Sequence, residues 1–282
     1  MSLILTLSCP DRPGIVQAVT TFLLEEGANI VEAAQFNDID TGLFFMRTRF
    51  ELLEGGAGPE GISERFEPVR HRLSMQSRFS VCDARIPTVL MVSQAGHCLN
   101  DLLFRWKSDL LPIDIKAVIS NHTAFESLVG SYGIPFHRVP ITAATRSDAE
   151  ARQLELIEAA GAELVVLARY MQILSDPMCR ALSGRAINIH HSFLPSFKGA
   201  RPYYQAHDRG VKLIGATAHY VTADLDEGPI IEQDVARADH AMDPATLTAL
   251  GRDVECVVLA RAVKWHAEHR ILLNGQRTVI FR

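Results

Sequence analysis

The sequence predicts an α/β protein in two parts: a small βαββαβ unit over residues 1–83, then a doubly wound, mostly parallel sheet over 84–282. Three observations carry this. Before "DARIP" (Asp83–Pro87), apolar alternation and helical spacing follow each other as strand, helix, strand, strand, helix, strand. Beyond it, short apolar runs alternate with helical patterns, as successive βα units require. With 48% hydrophobic residues among 282, the chain can bury cores for both.

The elements follow in order. Leu3–Ser8 alternates as a strand, and "CPDRPGIVQAVTTFLLEEGANI" opens a helix on which Asp11 is placed to cap and Pro13 sits in the first turn. Ile15, Val19, Phe22 and Leu23 recur at helical spacing until Gly27. Ile30–Asn37 and Leu43–Leu53 flank the turn "DIDTG"; Gly55, Gly56, Gly58 and Pro59 form a surface loop before a helix across Gly61–Gln76, and Phe79–Asp83 closes the unit. In the second part Thr88–Ser93, Asp114–Ser120, Pro135–Val139, Glu163–Ala168 and Ala186–His190 are strands, with Arg146–Ala160 the clearest helix between them. Leu213–Val221 and Ile230–Val235 come next, joined by a polar loop, then a long helix from about Pro244 to Glu268 and a hairpin about Asn274-Gly275.

Composition narrows the function. The balance of 33 acidic against 28 basic residues, with no Lys/Arg run, disfavours nucleic acid, including a tRNA-dependent role, and points to a small-molecule partner. No apolar run approaches a membrane span, and Met1–Thr6 lacks the basic start of a signal peptide, so a soluble cytoplasmic protein is expected. The five cysteines are scattered, odd in number and without a C-x-x-C, as reduced thiols would be.

The chemistry concentrates in two stretches. In "AINIHHSFLPSFKG" (Ala186–Gly199), strand alternation puts Asn188 and His190 on one face and Ile189 and His191 on the other, at the carboxyl end where open α/β sheets bind ligands. Adjacent histidines on opposite faces do not share an ion easily, and no H-x-x-x-H accompanies them, so no metal is expected. In "GATAHYVTADLDEGPIIEQ" (Gly215–Gln233), His219 ends a strand, Asp224 and Asp226 lie in the next loop, and Gly228-Pro229 fixes the backbone behind them. An amide, an imidazole and a carboxylate suit acyl transfer from a formamide-like group.

"NIHHSFLPSFKGARPYYQA" and "HYVTADLDEGP" resemble the signature of formyltransferases that use 10-formyltetrahydrofolate, N-x-H-x-S-x-L-P followed by L-D-x-G-P. The first 83 residues, with "DRPGI", resemble an ACT domain, which implies a ferredoxin-like module. Together with "HCLNDLLFRW" and "VISNH", the whole chain is similar to the formyltetrahydrofolate deformylase family. The resemblance implies that Asn188, His190 and Asp226 are the catalytic trio, that His219 supports the aspartate, and that Tyr170, Met171, Ile173 and Leu174 of "ARYMQIL" line the folate pocket. It implies hydrolysis of 10-formyltetrahydrofolate to tetrahydrofolate and formate, which supplies purine synthesis and balances one-carbon pools, with no cofactor beyond the folate and no metal.

The transformylase branch binds its substrate phosphate on a glycine- and asparagine-rich loop after the first strand; "VSQAGHCLNDLL" (Val92–Leu103) has one glycine and bulky His97, Cys98 and Leu99 there, so water replaces the amine as acceptor. Asp226 as proton carrier favours a raised pKa in a partly desolvated loop. Lys198, Arg169 and Arg201 are candidates for the folate glutamate tail. Structural readings stand beside these: His191 as a hydrogen-bonder, Asp224 as a turn residue, and His219, Tyr170, Met171 and Leu174 as packing residues. Position alone admits His97 and Asn121-His122 to the cleft, and Ser192 lacks the G-x-S-x-G elbow of a nucleophile. Asp11, Pro13 and Gly14 form a turn suited to an amino-acid effector, or the module serves only assembly of a homo-oligomer, a dimer or tetramer. The competing functions are a formyltransferase to an amine and a non-catalytic amino-acid or folate sensor.

Overall fold

The computed structural model describes residues 1–53, 58–194 and 202–282, in two compact units. The first contains β1 (Ser2–Pro10), α1 (Ile15–Glu25), β2 (Ala28–Asp38), β3 (Leu43–Leu52), α2 (Pro59–Arg72) and β4 (Gln76–Val81). Its antiparallel sheet has the order β2-β3-β1-β4. Phe22, Phe66 and Phe79 meet edge to face in the core between sheet and helices, with ring centroids 4.9 and 5.4 Å apart. Gly14, at φ 92°, is the N-cap of α1, with no side-chain cap; Asp11 instead accepts a hydrogen bond from Asn37 Nδ2 at 2.7 Å. The expected Asp11 cap is therefore replaced by a backbone turn that only glycine adopts cheaply. The helix expected to Gln76 ends at Arg72 because Ser74 takes a left-handed φ of 51°, and β4 starts at Gln76. Of the expected glycine-rich loop, Gly55 and Gly56 lie outside the described residues.

The second unit contains β5 (Ile86–Val92), α3 (His97–Lys107), β6 (Ile113–Ser120), α4 (Glu126–Ser131), β7 (Phe136–Arg138), α5 (Arg146–Ala159), β8 (Leu164–Leu167), α6 (Asp176–Ala181), β9 (Ala186–His190), α7 (Pro202–Asp208), β10 (Leu213–Tyr220), β11 (Ile230–Arg237) and α8 (Pro244–Ala267). The sheet order is β11-β10-β9-β8-β5-β6-β7. Strands β5 to β9 run parallel, and β10 and β11 are antiparallel additions. The order reverses about β5, so the carboxyl ends of β5, β8 and β9 open on one crevice. Val89, Met91, Val165 and Leu167 pack with Ile157, Met178 and Leu182 beneath it.

The terminal hairpin, β12 (Ile271–Asn274) and β13 (Arg277–Ile280), corrects the expected boundaries. Residues 268–274 and 278–282 belong to the first unit; only 275–277 group with the second. A single cut after residue 83 assigns all of 84–282 to the second part. The physical reason is a buried polar and apolar tie: Arg47 donates to the carbonyls of Glu268 and His269, Asn274 Nδ2 donates to Asp38 at 2.5 Å, and Val279 and Phe281 pack on Phe45. Among the described residues, no helix is long and apolar enough to cross a membrane.

Candidate active site

Two strands and a loop assemble the trio. In the β9–β10 register, Asn188 lies opposite His219 and His190 opposite Thr217, so all four side chains share one face. Asn188 Nδ2 is 3.2 Å from His219 Nε2. His219 Nδ1 lies 2.9 Å from the Tyr220 carbonyl and must carry the hydrogen, which leaves Nε2 to accept from the asparagine amide. That fixes Asn188 and leaves its second N–H without a partner among the described residues. The loop after β9 is held by Thr217, whose hydroxyl donates to Ser192 O and accepts from Leu194 N and Gln233 Nε2.

Asp226 completes the group. Its Oδ2 is 3.3 Å from His190 Nδ1, and its Oδ1 is 3.7 Å from His219 Nε2. It adopts φ 57°, a left-handed conformation that non-glycine residues rarely keep without surrounding constraint. The constraint is Gly228: a Cβ there would stand 1.8 Å from the Tyr220 carbonyl oxygen, the same atom that orients His219. The His190 hydrogen bond holds the Asp226 carboxyl well below the usual carboxylate range, against burial. The expected raised pKa is therefore wrong for the resting site, because two imidazoles face a half-buried carboxylate. His190 is 8% exposed, and its Nε2 is buried with no partner among the described residues. A buried ring nitrogen without a partner marks a place for a ligand atom.

His191 also departs from expectation. The strand stops at His190, so alternation no longer holds, and the two rings stack at 4.9 Å with 25° between planes. Burial first, then Arg169, lower the His191 pKa to about 4. Asp224 is exposed, and its carbonyl accepts from Thr222 Oγ1 and Glu227 N, the turn role that was the alternative. Among the described residues, His122 makes a backbone N–H bond to Ser120 Oγ and no side-chain bond.

Tyr170, Met171, Ile173 and Leu174 line one cavity of about 350 Å³ with Ile141, Thr142, Arg146, Glu150 and Gln153. Met171 and Ile173 are left exposed at its mouth. Tyr170 accepts a 2.7 Å bond from Gln153 Nε2, while Gln153 Oε1 is buried and unpaired. The contribution of α5 was missed, although Arg146, Glu150 and Gln153 fall at i, i+4 and i+7 on one face. Val221, which leads into the Asp226 loop, packs in the same cluster as Tyr170 and Leu174. Lys198 and Arg201 lie outside the described residues. Arg169 is not turned to solvent as a tail-binding residue would be: its Nε lies 3.4 Å from Glu255.

Glu255, 1% exposed, also meets His97 Nε2 at 2.8 Å and accepts from Tyr203 OH at 2.8 Å. Burial opposes its charge, but the His97 bond and Arg169 outweigh it and keep the carboxyl below its ordinary value. His97, Cys98 and Glu255 present ligand atoms within 4.8 Å of one another. They do not fit a metal: a guanidinium already sits on the carboxylate, and a hydrogen bond to Cys256 with burial raises the Cys98 thiol well above its usual value, opposing the thiolate a metal needs.

The fold is that of a formyltransferase-type α/β domain that follows an ACT module in the sequence. The Formyl transferase family profile matches residues 87–263, and the ACT domain profile matches 3–62. A Corynebacterium sp. (strain P-1) formyltetrahydrofolate deformylase is 50% identical over 99% of this chain and 98% of its own. The crystal structure of the Burkholderia mallei formyltetrahydrofolate deformylase superposes with a TM-score of 0.96 at 51% identity, covering 100% of this chain and 99% of that one. Glycinamide ribonucleotide transformylase 1 from Symbiobacterium toebii matches 70% of this chain and 95% of its own, at 30% identity and a TM-score of 0.66. The chain belongs to the formyltetrahydrofolate deformylase family.

Proposed function

We propose that the protein hydrolyses 10-formyltetrahydrofolate to tetrahydrofolate and formate, and that Asn188, His190 and Asp226 carry the reaction. The observation that carries this is the buried, unpaired His190 Nε2 on the same face as the free Asn188 N–H, with a carboxylate held behind the ring. These two donors suit the formyl oxygen, whose negative charge grows as water adds. Water oxygen bonds to the formyl carbon while Asp226 takes a water proton. His190 Nε2 and the Asn188 amide stabilise the oxyanion by hydrogen bonds while it lasts. Asp226 then passes that proton to the folate nitrogen, the C–N bond breaks as the oxyanion re-forms a carbonyl, and formic acid leaves and loses its proton to solvent as formate.

The cavity under Tyr170 and Leu174, with Met171 and Ile173 at its mouth, suits a flat heterocycle, and we assign the folate there. None of these steps requires a metal. An amine acceptor is disfavoured because the loop after β5 offers no open cradle. A Cβ on Gly96 would stand 2.3 Å from the Phe125 ring, His97 is turned to Glu255, and Cys98 and Leu99 are buried. In the first unit, β2 is an edge strand with Ile30, Val31 and Phe36 exposed, which supports a homo-oligomer formed through this module. The turn at Asp11, Pro13 and Gly14 is the site we assign to an amino-acid effector.

Formate release measured without any added acceptor tests the function. Steady turnover is expected; a trace only, rising with an added amine, would make the protein a transferase, and none at all a sensor.

A further inference from the structure

The mechanism leaves one set of charged groups unused. Arg169 lies two residues past the end of β8 and adopts φ 64°, a left-handed backbone that a non-glycine residue keeps only under constraint. Its side chain is only 14% exposed and leans on Glu255, which His97 and Tyr203 hold from the other side. The Arg169 Nε makes no well-aligned hydrogen bond, and among the described residues the rest of the guanidinium has no partner beyond that ion pair. Arg169 acts on His191, which stacks on His190, and His191 feels Asp226 as well. A fixed cation with spare N–H donors thus lies two residues beyond Leu167, which pairs with Asn188 in the parallel β8–β9 register, and within electrostatic reach of His191.

We propose that Arg169, anchored by Glu255 and flanked by His191, is the seat for the formate that hydrolysis releases. Its class of ligand is a small monocarboxylate. This rests on the hydrolase reading, because only with water as acceptor does the formyl carbon leave as a carboxylate. A guanidinium holds a carboxylate through two parallel N–H donors, and pairing with Glu255 keeps the buried cation from being uncompensated. A carboxylate of the folate tail is the other source of the same chemistry. Burial favours formate, because a side chain only 14% exposed is not presented to solvent as a partner for a long substrate arm would be. Stabilising the departing product also explains why an arginine is kept in a backbone conformation that glycine would adopt without strain.

The test compares the wild-type chain with Arg169→Met and with the double variant Arg169→Met/Glu255→Gln, which removes both charges so that no buried carboxylate is stranded. Line broadening of ¹³C-formate reports binding directly, and product inhibition by sodium formate is measured at constant ionic strength against acetate and chloride. Formate is expected to bind and inhibit the wild type, and both effects weaken at least about tenfold in both variants, while KM for 10-formyltetrahydrofolate stays within about twofold. Equal formate binding in the double variant overturns the proposal, as does a wild type that hydrolyses its substrate yet binds no formate. A rise in KM with formate binding intact moves Arg169 to the substrate tail and equally overturns it. If the wild type binds formate through Arg169 but releases none from substrate, the hydrolase reading fails while the seat stands.

Discussion

A carboxylate between two imidazoles sets the chemistry at the scale of single residues. Asp226 is ionised throughout the working range, because its pKa is depressed and its negative charge is lost only in strong acid. It does not by itself produce an acid limb in the rate near neutrality. Asp226→Asn keeps the shape but cannot take a proton. We expect kcat to fall by roughly 10² or more with little change in KM, since general base catalysis is worth about that much. Near-normal turnover in steady-state assays would remove Asp226 from its role. His191 gives a second prediction through linkage. Its folded pKa of about 4 lies below the ordinary 6.5, so the unfolded chain binds the extra proton and stability falls as pH drops between those values. From pH 7 to pH 5 the loss is about 2 kcal/mol at most. His191→Asn should lose that increment of pH dependence in urea unfolding followed by tryptophan fluorescence. Both tryptophans, Trp106 and Trp265, lie in the second unit and report on it alone. An identical pH slope in the variant would show that His191 titrates alike in the folded and unfolded chain.

At the scale of elements, the site depends on how closely the Asp226 loop returns to the end of β10. Tyr220 N donates to Pro229 O at 2.9 Å, and the Tyr220 carbonyl takes the His219 Nδ1 hydrogen. Gly228→Ala inserts a methyl 1.8 Å from that carbonyl, so backbone must move. The variant should lose about 1–3 kcal/mol of stability and at least tenfold in kcat, as His219 and Asp226 lose register together. Thermal melts and kinetics check both, and full activity would mean the loop is slack. Gly228-Pro229 was legible in the sequence as a fixed turn, and Asn188 and His190 on one strand face followed from period two alone. His191 was not legible, because alternation stops where β9 does and local sequence does not say where the next ring turns. Nor was the α5 contribution to the cavity, since buried Glu150 and Gln153 look like solvent-face residues until Tyr170, Ser175 and Arg146 are folded against them. Glu255 was hidden for the same reason: its partners come from α3, the loop after β8 and α7, far apart in the chain.

For the molecule as a whole, the chain end returns to the unit in which the chain began. The hairpin itself was visible in Asn274-Gly275, but the surface it covers is fixed by residues more than 200 positions away, which no local pattern encodes. Arg47 is buried, and its guanidinium is satisfied by Glu32 and by the carbonyls of Glu268 and His269; Arg270 ties Glu32 to the Phe281 carbonyl. Phe281 packs with Val279 on fully buried Phe45 of β3. The hairpin therefore closes the apolar surface of the β2–β3 sheet region rather than hanging as a tail. Phe281→Ala should remove about 3 kcal/mol or more from the first unit, the usual cost of emptying a buried aromatic site. Amide exchange in β2 and β3 should accelerate accordingly, while the unfolding midpoint read by Trp106 and Trp265 stays within error of wild type. Equal shifts in both readouts would show that the two units unfold as one. No change in β2 or β3 would mean that the hairpin contributes nothing to the first core, and residues 268–282 would then revert to the second part.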